Sequence, residues 1–116
     1  MKNFMAIYTG SPANIGAWKA LDAHTRAEKE KQGMAAWHQW ALKNEAAIVD
    51  NGGPLGKTKR ATAEGIADIS NHMAAYTIVR AESQEAAARM FQDHPHFSIF
   101  PGDGVEVMEI MPIPTQ

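Results

Sequence analysis

The sequence predicts an α+β sandwich, a single antiparallel sheet carrying its helices on one face, and three observations lead to it. The chain opens and closes on short apolar runs of strand character, residues 4–8 and 105–111. A third such run, residues 73–81, stands in the second half. Helical periodicity fills residues 13–47 and returns at 85–93. With a turn-rich segment in the middle, the order becomes strand, helix, strand with its hairpin, strand, helix, strand. That order is the ferredoxin-like βαββαβ arrangement.

Each element follows from local chemistry. Phe4-Met5-Ala6-Ile7-Tyr8 ends at Thr9-Gly10-Ser11-Pro12, a turn cluster. Ile15, Trp18 and Leu21 then recur at spacings of three, and Met34, Trp37, Ala41 and Leu42 keep a helical period. Residues 23–32 are charged and nearly devoid of large apolar side chains, which fits either a solvated turn of one helix or a break between two. Gly33 weakens one unbroken helix by about 1 kcal/mol relative to alanine. Residues 46–49 read as the second strand and run into Asp50-Asn51-Gly52-Gly53-Pro54, a strong turn signal. Residues 57–63 are the expected hairpin partner of that strand, and residues 64–72 a polar loop or ragged strand. Ser83 is the expected N-cap of the second helix, with Glu85 in its first turn. Pro95 is expected to stop that helix, which places His94 at its C-terminus.

A sheet with one wet face alternates apolar and polar residues. Here Phe4, Ala6 and Tyr8 point one way while Met5 and Ile7 point the other, and Val105, Val107 and Met111 oppose Met108 and Ile110. Both faces are apolar, so a second copy of the chain is expected to cover the open one, giving a homodimer.

The bulk properties narrow the function. At 116 residues the chain is expected to be one domain, spanning 1–116. The absence of cysteine excludes disulfides and thiolate chemistry and fits a reducing, cytoplasmic setting. A net charge of −2 with no basic stripe argues against a nucleic-acid partner. The run at residues 4–8 is too short for a membrane span or a signal-peptide core, so no membrane partner is expected.

Several phrases, taken in order, resemble the YCII-related (DGPF-type) domain family. They are Met1-Lys2-x-Phe4-Met5-x-x-Tyr8, Ala36-Trp37-x-x-Trp40, Val49-Asp50-x-Gly52-x-Pro54-Leu55-Gly56, Tyr76-x-Ile78-Val79-x-Ala81-x-Ser83, His94-Pro95-His96 and Val105-Glu106-Val107-x-Glu109-Ile110. The resemblance implies two ferredoxin-like protomers paired as a dimeric α+β barrel. It also implies, for some members, a helix histidine and a carboxylate near the second strand acting as an acid–base pair, and for one branch dehydrochlorination of an aromatic ring. Ala36 stands near the place of that helix histidine, with His38 two residues on, and the surroundings of Asp50 depart from the DGPF tetrapeptide.

The residues themselves offer chemistry. On a helical wheel His38 lies about 40° from Met34, so it is expected to face the sheet, where apolar neighbours favour the neutral imidazole of a general base. The alternative is a buried histidine with one satisfied hydrogen bond. Asp50 enters a glycine-rich turn, where its carboxylate can orient His38, take a proton itself, or simply accept turn N–H groups. Trp37, Met34 and Tyr76 are expected to line an apolar pocket between helix and sheet, with His96 contacting an anionic ligand. No metal and no cofactor is expected. His94-Pro95-His96 reads better as a helix end than as a ligand pair, and residues 51–58 mimic a P-loop without its first glycine or its long helix.

Two function classes stay open. One is a cofactor-independent enzyme carrying out proton transfer or elimination on a flat or anionic small molecule, with His38 as base and Asp50 beside it. The other is a non-catalytic dimeric module that binds a metabolite or a protein. A third reading, an α+β barrel monooxygenase-like enzyme, needs a haem-ligating histidine in the pocket if it uses haem.

Overall fold

Strand β1 (Lys2–Thr9) is the centre of the sheet, flanked antiparallel by β5 (Met73–Ala81) and β6 (Gly104–Glu109). Strand β2 (Ile48–Pro54) adds to the far side of β5, giving the order β2-β5-β1-β6. The computed structural model describes residues 1–114. Phe4, Ala6 and Tyr8 of β1 and Val79 and Ala81 of β5 form the core with Ala87 and Phe91, and Trp37 and Trp40 pack on it. The expected α+β class, an antiparallel sheet with helices on one face, is therefore the observed one.

Several boundaries differ from expectation, each for a local reason. The first helical region is two helices, α1 (Pro12–Lys19) and α2 (Ala23–Lys43). The break precedes the charged stretch. Asp22 Oδ2 accepts the Thr25 N–H at 3.3 Å and starts α2. Arg26 donates to the Lys19 and Leu21 carbonyls at 3.2 and 3.3 Å and finishes α1. The hydrogen bonds from Thr25 hold the Asp22 carboxyl below its usual range. A single 3₁₀ turn (Glu45–Ala47) takes up the start of the expected second strand, and β2 runs through the glycines to Pro54 instead.

The hairpin is the largest topological difference. Strand β3 (Thr58–Thr62) does not pair with β2 but with β4 (Gly65–Ile69), in the segment expected to be loop or ragged strand. The pair forms a separate two-stranded arm, with Lys59 and Asp68 joined across it at 2.7 Å. The arm accounts for the dimensions of 57 × 42 × 18 Å and a radius of gyration of 16.2 Å, against about 13 Å for a compact chain of this length.

Helix α3 (Gln84–Arg89) begins as expected, with Ser83 Oγ accepting the Ala86 N–H at 3.1 Å. Pro95 does not stop it. It opens a further short helix, α4 (Pro95–Ser98), because proline at the first helical position forfeits no hydrogen bond. His94 is therefore the N-cap of α4 rather than a helix C-terminus.

On the opposite face of the sheet Met5, Ile7 and Ile78 are half-buried and Met108 is exposed, with no element of this chain over them among the described residues. No helix of the described residues is long and apolar enough to cross a membrane.

Candidate functional site

A cleft of about 360 Å³ opens between α2 and the β2–β5 edge of the sheet. Met34 and Trp37 of α2 form one wall, and Phe100, from the loop before β6, closes one end. Asn51, Gly53 and Pro54 of β2 form the opposite wall, and Tyr8, Ala75 and Thr77 lie at the floor. Larger hollows of about 540 and 740 Å³ lie beside α3 and at the base of the arm; the first has Phe91 and Phe97 among mostly polar and small residues, and the second has no aromatic ring.

Two glycines shape the cleft. Gly33 is buried within α2, and a Cβ there would drive into the Phe100 ring. The glycine that weakens the helix thus admits the ring that ends the cleft. Gly52 has φ +62°, and a Cβ there would meet the Tyr76 carbonyl oxygen. Its bare backbone lets β2 lie against β5 through two register shifts.

Polar groups in the cleft are few and connected. Tyr8 Oη and Thr77 Oγ1 are 3.0 Å apart, and Thr77 Oγ1 donates to the Asn51 carbonyl at 3.2 Å. Burial pushes the Tyr8 hydroxyl above its usual pKa, opposed by the Thr77 contact, so the phenol stays protonated near neutral pH.

Behind Tyr8 sits an aromatic cluster that sequence reasoning missed. His94 is fully buried, 4.5 Å from Trp37 and 4.6 Å from Trp40 between ring centroids. Its Nδ1 accepts the His96 N–H at 3.0 Å, which puts the neutral ring's proton on Nε2. Nε2 has no hydrogen-bond partner among the described residues. The Trp37 and Trp40 rings stand edge-to-face with the imidazole on the apolar sides of this pocket. Burial first, and the neighbouring His96 second, push His94 down to about 4. The available signal was the His-Pro pair, since a residue before proline leaves helical geometry and can cap the helix that follows.

The expected site residues scatter. Met34 and Trp37 line the cleft. Tyr76 borders it, but strand alternation turns its side chain to the other face from Thr77, where the hydroxyl reaches Asp50 Oδ2 at 3.5 Å. Asp50 is exposed, and its Oδ1 accepts the Gly52 N–H at 2.9 Å, the turn geometry weighed above. His38 is exposed and outside the cleft lining, which corrects the expectation that it faces the sheet. The buried stripe of α2 runs through Gly33, Trp37 and Trp40, with Met34 at its edge, so the helix is rotated from the wheel centred on Met34. His96 is buried beside Tyr8 and bonds the Thr9 carbonyl at 2.7 Å rather than facing the cleft. Burial lowers its pKa, against the Thr9 bond and the Asp103 charge, which raise it. Among the described residues no histidine lines the cleft, so none of them offers an imidazole there to a haem iron.

No protein-family model matches the chain, and no curated protein matches it in sequence. Among solved structures the chain is similar to 5-chloro-2-hydroxyhydroquinone dehydrochlorinase (TftG) from Burkholderia phenoliruptrix AC1100, in complex with 2,5-dihydroxybenzoquinone. The likeness has a TM-score of 0.56 at 15% identity and covers 94% of this chain and 93% of that one. It extends over nearly the whole of both chains and establishes a shared α+β fold.

Proposed function

We propose that the chain binds a flat, largely apolar small molecule in the cleft between α2 and the β2–β5 edge. The observation that carries this reading is the convergence of Trp37, Met34 and Phe100 over a floor with only a few hydroxyl and carbonyl groups. Met34→Glu tests it. Met34 is 63% exposed, so the change should alter stability by no more than about 0.5 kcal/mol. It should weaken binding of an aromatic compound, followed by tryptophan fluorescence, by about tenfold or more. Equal affinity for variant and native protein would remove the cleft as the ligand site.

A second reading adds chemistry. It draws on the fold shared with a dehydrochlorinase solved with a quinone, and on the motifs that resemble the YCII-related family. In it the chain is a cytoplasmic, cofactor-independent enzyme acting on a hydroxylated aromatic ring, with His38 as base and Asp50 as its carboxylate. The exposure of both residues outside the cleft favours the binding reading over this one. Native protein that turns over a chlorinated hydroxyhydroquinone, and His38→Ala that does not, would reverse the preference.

The homodimer belongs to the same proposal. Met5, Ile7 and Ile78 form an apolar strip on the open face, and a lone two-stranded arm is marginal in water without a surface to pack on. Sedimentation equilibrium is expected to give twice the 12.7 kDa chain mass. Ile78→Lys should return the single-chain mass, and a native protein already at that mass would end the dimer reading.

A further inference from the structure

We infer that the cleft selects ligands carrying a hydroxyl or N–H donor, and that the Tyr8 phenol oxygen is the group that receives it. The inference rests on the reading of the cleft as the ligand site. It follows from the direction of one hydrogen-bond chain. The Asn51 backbone oxygen can only accept, so the Thr77 hydroxyl spends its single proton there, at 3.2 Å. The contact of 3.0 Å between Tyr8 and Thr77 then has one sense, with Tyr8 donating. Tyr8 has no second proton. Its oxygen receives no hydrogen bond from any other described residue, and a phenol oxygen retains acceptor capacity while it donates.

Tyr8 and Thr77 both line the cleft, so its floor ends in an acceptor with no donor to spare. A ligand that presents an acceptor at that point leaves two oxygens facing each other without a proton between them. A ligand that presents O–H or N–H completes the chain, ligand to Tyr8 to Thr77 to Asn51. The aromatic walls ask for a flat ring. Together they specify a hydroxylated aromatic or an N–H heteroaromatic, and they disfavour the corresponding methyl ether. The polarity is built into the backbone, because the last acceptor is a main-chain carbonyl that no side-chain rotation can turn into a donor.

A matched ligand pair tests this on the native protein. Hydroquinone and 1,4-dimethoxybenzene share the ring and differ in whether their oxygens donate. Tryptophan fluorescence titration is expected to give hydroquinone the higher affinity by about tenfold. Tyr8→Phe should abolish the preference while keeping affinity for the ether. Thr77→Val gives the readout that a merely structural role would not produce. It frees the Tyr8 proton to point at the ligand, so ether binding should strengthen relative to the native protein, whereas Thr77→Ser should keep the native pattern. Equal binding of the two compounds by the native protein overturns the donor rule and leaves the cleft reading standing. Binding of neither at millimolar concentration overturns both.

Discussion

Acidification from about pH 7 to about pH 4 is expected to lower the unfolding free energy by on the order of 3 kcal/mol through His94 alone. The ring is fully buried among Trp37, Trp40, Tyr8 and Phe91, and its pKa is pushed down to about 4. In the unfolded chain an imidazole titrates near its ordinary value of about 6.5. Between those values the unfolded state binds a proton that the folded state refuses. Stability is therefore complete above about pH 6.5 and is lost as the pH falls toward 4. His96 is depressed in the same direction and adds to the slope.

The structural reason lies in the cap. Protonation places a hydrogen on His94 Nδ1, which faces the His96 N–H at 3.0 Å, so an acceptor becomes a donor against a donor. Urea midpoints between pH 7.5 and 4.5 measure the slope. Carboxylates contribute near its lower end, so His94→Asn, which keeps a capping oxygen, isolates the imidazole. The variant should be less stable at neutral pH and show a flatter profile. Parallel profiles for variant and native protein would mean that His94 titrates alike in both states.

Gly52→Ala is expected to cost about 3 kcal/mol, while Gly53→Ala next to it stays within about 0.5 kcal/mol. Gly52 combines φ +62° with a Cβ position that coincides with the Tyr76 carbonyl oxygen. That oxygen belongs to the backbone of β5, the strand on which β2 is held, so it cannot step aside without separating the pair. Gly53 has ordinary φ and open space around its Cβ position. Thermal unfolding of the two variants gives the comparison directly, and equal midpoints would show that β2 tolerates displacement. Separation of β2 also withdraws Asn51 and Pro54, so Gly52→Ala should lose ligand affinity along with stability.

The contrast between these glycines shows what local sequence conveys. The Asp50–Pro54 segment announces a turn through composition, but nothing in it distinguishes the glycine pressed against β5 from the one in the open. Strands β1 and β5 were legible because their apolar residues bury against helices, and burial leaves a hydrophobic pattern. The β3–β4 arm was not, because Thr58–Thr62 and Gly65–Ile69 pack on no core and carry no such pattern. On that account the segment that forms β4 reads equally as loop or ragged strand.

The site divides in the same way. Trp37 and Met34 could be placed on a cleft wall from helical spacing, since spacing fixes which residues share a helix face. Spacing does not fix the rotation of that face toward the sheet. A glycine has no weight in an apolar pattern, yet Gly33 is the buried residue of α2 that lies against Phe100, and His38 on the same helix faces solvent. The Tyr8–Thr77–Asn51 chain joins three strands across 69 residues of sequence. The sequence determined the α+β class, the ferredoxin-like sheet and its two apolar faces, because these follow from short-range periodicity. Only the tertiary structure decided which polar atoms meet in the cleft and which way their protons point, because strand register and helix rotation are set by contacts between residues far apart in the chain.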